Sequence, residues 1–198
     1  MKAVIRALIG LLALSVCLVV AAPSAAARTL PVGPAGAVTA VAGATAQSEL
    51  PAWPVIRQGS FGQPVRSLQY LLNARGAGLV VDSIFGPRTN TALRNFQSTH
   101  GLVVDGIVGP QTWRSVIITV PYGSVGSAVK AVQDQANFRG GRGEGPPVLY
   151  VDGIFGPKTQ GWVMAIQGVA AQEYQGVVVD GIVGPVTWQL LIAGYLSG

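Results

Sequence analysis

The sequence predicts a mainly α protein made of two small three-helix units in tandem. Three observations predict it. A nine-residue string occurs four times, as "VDSIFGPRT" (Val81–Thr89), "VDGIVGPQT" (Val104–Thr112), "VDGIFGPKT" (Val151–Thr159) and "VDGIVGPVT" (Val179–Thr187). Segments with apolar residues at helical spacing lie between and after the copies. Gly-Pro pairs and single glycines stand where those segments start and stop. The copies alternate "IFG" and "IVG" and fall as two close pairs, so each pair belongs to one larger repeat. Unit one is expected over 53–118 and unit two over 119–198. They span roughly 65 and 80 residues, near the lower limit for a core without staples.

Both units show the same order of parts. Each opens on a Gly-Ser turn, "QGSFGQPV" or "YGSVGSAV". A helix follows. In "PVRSLQYLLNARG", Val65, Leu68, Leu71 and Leu72 share a face, Pro64 suits the start and Gly76 the stop. The counterpart "AVKAVQDQANFRG" keeps Val129, Val132 and Ala136 on one face but is less amphipathic. The repeated string then works as punctuation. Asp-Gly makes a turn, two apolar residues such as Ile84 and Phe85 plug a core, and Gly-Pro starts a helix. The Thr two residues after Pro bonds back toward the turn. After the first copy, "PRTNTALRNFQSTHG" places Ala92, Leu93 and Phe96 inward; after the second, "PQTWRSVI" does so with Trp113 and Val116. "PKTQGWVMAIQ" and "PVTWQLLIAG" repeat this in unit two.

Residues 1–27 are expected to be a signal peptide. Lys2 and Arg6 precede an apolar run from Ala7 to Ala22, and small residues follow at Ala25 and Ala27. The alternative is an uncleaved anchor, but the run is short for a bilayer of roughly 30 Å. Cys17, the only cysteine, lies in that run without the neighbours of a lipidation site. The mature chain then has no disulfide and no stable membrane anchor, and its charge falls from +5 to +3. That mild excess does not point to a nucleic-acid partner. Residues 28–52, rich in Pro, Gly, Ala and Thr, read as a flexible linker, with a short strand at Ala37–Val41 as the alternative.

The order and wording of these motifs resemble the peptidoglycan-binding-like domain, type one, present twice. In unit one the resemblance rests on Gly59-Ser60, Leu68-Gln69, Val81–Thr89, Phe96-Gln97 and Gly101–Trp113. In unit two it rests on Gly123-Ser124, Val132-Gln133, Val151–Thr159, Ile166-Gln167 and Gly176–Trp188. The resemblance implies non-catalytic attachment to bacterial peptidoglycan, a secreted or cell-wall location, and association with a wall hydrolase. Alternatives are the binding part of such a hydrolase, or a protein-interaction module reusing the fold. Unit two departs most. It has Ile166 for Phe and Val132 for Leu, and it inserts "GGRGEGPPVLY" and "VAAQEYQ". In unit one, Ser83 replaces the first copy's Gly.

No catalytic residue, metal or cofactor is expected. Asp82, Asp105, Asp152 and Asp180 occupy one turn position each without a second nearby acid, unlike the paired carboxylates of a glycosidase. With one histidine, His100, and no mature cysteine, a zinc site is hard to build. Trp113 and Trp188 fall on the core side of their helices. The candidate ligand-binding residues are Tyr70, Arg75, Asn90, Arg94 and Trp162; Trp53, Tyr122 and Tyr150 are further aromatic candidates. Arg75, Arg88 and Arg94 suit carboxylates of wall peptides or anionic polymers. Unit one, closer to the family pattern, is expected to hold most of the affinity.

Overall fold

The structure is a computed structural model that describes residues 48–140 and 148–194. The expected signal peptide and residues 28–47 of the linker lie outside the described residues. So does the middle of the Gly-rich insertion.

Six helices and one short strand pair are present among the described residues. The first half runs β1 (Ile56–Arg57), α1 (Gln63–Ala74), α2 (Pro87–Thr99), β2 (Ile107–Val108) and α3 (Pro110–Val116). The second runs α4 (Ser127–Arg139), α5 (Pro157–Glu173) and α6 (Pro185–Ala193). Four of the six helices begin with Pro straight after an extended Gly, as the repeated string requires. The "VAAQEYQ" insertion is largely absorbed by α5, which runs to Glu173 where α2 stops at Thr99.

Small extended pairings tie each opening turn to the repeated strings. β1 and β2 are antiparallel, with Ile56 opposite Val108. Phe61 bridges Ile84, and Val125 bridges Ile154 in the same way. Extended backbone sends successive side chains to opposite faces. Of the two apolar residues expected to plug the core, only the second does so in the phenylalanine copies: Phe85 is 1% exposed and Ile84 58%. Phe155 and Ile154 divide in the same manner.

Trp113 and Trp188 are fully buried, and each indole N–H donates 2.7 Å to a backbone carbonyl of the segment leading into its half's opening turn, Pro54 and Ile118 respectively. Trp53 also belongs to the core, stacked on Trp113 with ring centroids 5.8 Å apart. It is therefore no surface platform.

The two halves meet along α1 and α4, the most extensive helix–helix contact among the described residues. Apolar residues of both halves form one contiguous core within one compact unit. Polar groups close the seam. Arg66 Nε donates to both oxygens of Asp134, at 2.8 and 2.9 Å, and Gln63 adds a third bond to that carboxylate. Inside the seam, Gln135 Nε2 donates 2.7 Å to Ser67 Oγ, with both residues buried. This explains the weak amphipathicity of α4: besides Val129, Val132 and Ala136 it buries Ala128 and Ala131.

The described end of the linker lies against the second half. Ser48 exchanges backbone hydrogen bonds with Glu173 and Gln175, and Gln189 Nε2 donates 2.8 Å to the Pro51 carbonyl. Bonds of this kind satisfy backbone groups that a Pro- and Ala-rich segment cannot pair within itself.

Candidate functional site

The four repeated strings share one local construction. In each, the Asp Oδ1 accepts the backbone N–H of the Ile two residues on, at 2.8–2.9 Å. That is an Asx turn, which Asp forms because its side chain is short enough to mimic the backbone. A buried glutamine from the preceding helix then locks the turn. Gln69, Gln97, Gln133 and Gln167 each donate through Nε2 to that same Oδ1 and to the Ile carbonyl. Their Oε1 atoms accept the N–H of the residue after Asp: Ser83, Gly106, Gly153 and Gly181. That residue has φ between 66° and 78°, so glycine is the natural occupant and Ser83 is held there by the clamp.

The clamp also accounts for the tolerance of insertions. Gln69 and Asp82 are 13 positions apart, whereas the equivalent Gln133 and Asp152 are 19 apart, with the same bonds. A second bracket works alike. Asn73 holds the backbone N–H and carbonyl of Leu79, and Asn137 does so for Leu149. The loop between the anchors lengthens while both ends stay fixed.

In three of the strings these bonds lower the carboxyl pKa and favour the ionised aspartate. The Gln69 hydrogen bond, then the Ile84 N–H, keep the Asp82 carboxyl below the usual aspartate range. For Asp105 and Asp152 the backbone N–H of Ile107 or Ile154 is the largest cause. A carboxyl with a depressed folded-state pKa contributes stability that is full above the unfolded value, about 4. It is lost as pH falls through the lower folded value. Acid titration is therefore expected to destabilise the protein below about pH 4. Asp105→Ala should remove part of that dependence and cost about 1 kcal/mol at neutral pH, the scale of a lost local cap. An unchanged melting temperature in this variant would show that the turn does not depend on the carboxylate.

The structure does not bring the five sequence-predicted binding residues together. Tyr70 is half-buried beside the α1–α4 seam, with the Arg66 guanidinium 5.8 Å from its ring centroid. Burial raises its phenol pKa. Arg94 donates 2.9 Å bonds to the carbonyls of Val104 and Asp105, bracing the second string. Asn90 lies beside it and donates to Gln58. A Cβ on Gly106 would meet both the Asn90 and Arg94 side chains, so their packing requires glycine at that turn. Arg75 binds the carbonyls of Ser115 and Ile117 at the end of α3. Its counterpart Arg139 does the same at Leu190 and Leu191 of α6. Cations fit helix C-termini because free carbonyls and the helix dipole converge there. Trp162 is half-buried against the core of the second half.

A groove of about 630 Å³ opens between α2 and the loop Arg75–Leu79. Its floor includes Leu72, Leu79, Ala92 and Phe96, and its rim carries Arg75, Arg88 and His100. None of its lining residues is acidic. Of the five predicted residues only Arg75 lines it. The sequence marked Arg88 as a cation but gave no sign that Asn95, Thr99 and His100 face one cavity with it, since a loop 20 residues from the end of α2 supplies the other wall.

A helical domain of clamped turns, with a preformed groove on one face, has the build of a ligand-binding module. Residues 61–116 match the family described as putative peptidoglycan binding domain, and this stretch of the chain belongs to it. The groove lies wholly inside that stretch. No curated protein matches the chain. Among solved structures it is similar to a peptidoglycan-binding protein from Clostridioides difficile in complex with glutamine hydroxamate. That match has 41% identity, covers 32% of this chain and 40% of that one, and has a TM-score of 0.32. The SleB N-terminal domain is 42% identical over 32% of this chain and 88% of its own, with a TM-score of 0.31. The endolysin of Burkholderia phage AP3 is 38% identical over 43% of this chain and 32% of its own, with a TM-score of 0.32. This chain thus spans less than half the length of the first and third.

Proposed function

We propose that the protein is a secreted, non-catalytic cell-wall protein that holds peptidoglycan through its first half. The observation that carries this is the groove beside α2, which lies entirely within the peptidoglycan-binding stretch 61–116. The second half differs at the equivalent surface. Trp162 stands at the α5 position that Ala92 holds on α2, and Ala165 and Val169 stand where Asn95 and Thr99 are. Its helix thus offers bulk and apolar groups where α2 offers space and hydrogen-bonding groups. The non-catalytic part is supported by the aspartates. Asp82, Asp105 and Asp152 are each bonded to a glutamine and a backbone N–H, which favours the ionised acceptor and opposes the general-acid role.

The test is sedimentation of the mature chain with insoluble, protein-free cell wall, followed by analysis of the supernatant. The protein should pellet with the wall, and labelled wall should release no soluble fragments. Failure to pellet would contradict wall binding, and release that tracks the pure protein would contradict the non-catalytic reading.

A further inference from the structure

The groove's chemistry distinguishes between the two parts of the wall, its sugar strands and its short peptides. We propose that it takes a short peptide by its free C-terminal carboxylate and not a glycan strand; this rests on the wall-binding reading above. Three features of the groove lead there.

The first is charge. Two guanidinium groups, Arg75 and Arg88, line the cavity without an acidic neighbour among its lining residues. Arg75 is anchored by the α3 carbonyls, so its charge stays at the loop wall. Arg88 is exposed on α2 and has no hydrogen-bond or ion-pair partner among the described residues. An unpaired guanidinium at the mouth of an acid-free groove suits a carboxylate, which it binds with two parallel N–H bonds. A neutral saccharide strand offers no such group.

The second is the floor. A saccharide ring packs best on a broad, bare aromatic face, and the one phenyl ring among the lining residues, Phe96, is not bare. It is 5% exposed, with the His100 imidazole stacked on it at 3.9 Å between centroids and the Arg75 guanidinium carbon 6.0 Å from its centre. What remains open is aliphatic and small, around Leu79 and Ala92. Methyl-sized side chains match that surface.

The third is size. About 630 Å³ lies within the range of small-ligand sites and accommodates a few residues of peptide rather than a long strand.

The experiment uses the mature chain and three soluble probes: a wall tetrapeptide with a free C-terminal carboxylate, the same peptide as its C-terminal amide, and glycan strands stripped of peptide, with the sugar carboxylates that stripping exposes capped as neutral amides. Each is titrated directly by calorimetry and used to compete with insoluble wall. The free acid is expected to bind about ten-fold or more tighter than the amide, the scale of one charge-assisted contact. Arg88→Gln should erase most of that difference while leaving the amide's weaker affinity in place, and the stripped glycan should not compete. Equal binding of acid and amide, or displacement from the wall by stripped glycan alone, would overturn the inference and leave wall binding standing. A protein that binds the free acid but never pellets with wall would support the groove chemistry and overturn the wall-binding reading.

Discussion

Phe85→Ala is expected to cost about 3 to 5 kcal/mol, as deleting a fully buried phenylalanine does. The whole stability of a small domain is about 5 to 15 kcal/mol, so the variant should be largely unfolded or close to it. Phe85 is 1% exposed and seats the first string, where its N–H donates to the Ser60 carbonyl and its own carbonyl accepts the Gly59 N–H. The adjacent Ile84 is 58% exposed, so Ile84→Ala should change stability by no more than about 0.5 kcal/mol. Denaturant midpoints of the two variants make the comparison. Because the core is continuous through α1 and α4, Phe85→Ala should shift one common transition. A second half that keeps its own unshifted transition would show that the halves fold independently.

Gln97→Leu is expected to be the second most damaging change, at about 2 to 4 kcal/mol. The substitution nearly preserves volume, so little of the loss comes from packing. It leaves the buried Gly106 N–H without its acceptor at 3.0 Å, and it takes one donor each from the Asp105 carboxylate and the Ile107 carbonyl, which keep the Ile107 N–H and the Thr112 hydroxyl. Each buried polar group left unpaired costs about 1 to 3 kcal/mol, more than the bond itself contributed net. Asp105→Ala removes an exposed partner and should cost less. Urea denaturation of both variants checks the order. An Asp105→Ala loss larger than that of Gln97→Leu would mean the carboxylate, and not the glutamine, organises the turn.

Much of the fold was legible because the signals were local. Gly-Pro-x-Thr marked four helix starts, and helical spacing picked out Leu68, Leu93, Trp113 and Trp188 as core. The clamps were harder to read. A Gln on a helix next to apolar residues looks like the edge of a solvated face, and only its return to a turn 8 to 19 residues away shows why it is buried. The α1–α4 seam was hidden for a similar reason. Arg66, Ser67, Asp134 and Gln135 have the composition of a surface, and they become an interface by pairing with one another. The candidate site divided along the same line. Arg75 and Arg94 were picked out as cations, but their bonds to the carbonyls of Ser115, Ile117, Val104 and Asp105 depend on contacts between separate segments. The groove, assembled from a loop and the polar face of α2, had no periodic signature.

Wall binding is proposed to lie in the first half, in the groove beside α2. The most direct test is wall sedimentation of Ala92→Trp, which places in the first half the residue that the second half carries as Trp162. The equivalent position of α5 accommodates that ring, so the variant should melt at nearly the temperature of the parent. The groove predicts that most of the wall-bound fraction is lost. A folded variant that pellets with cell wall as fully as the parent would contradict it.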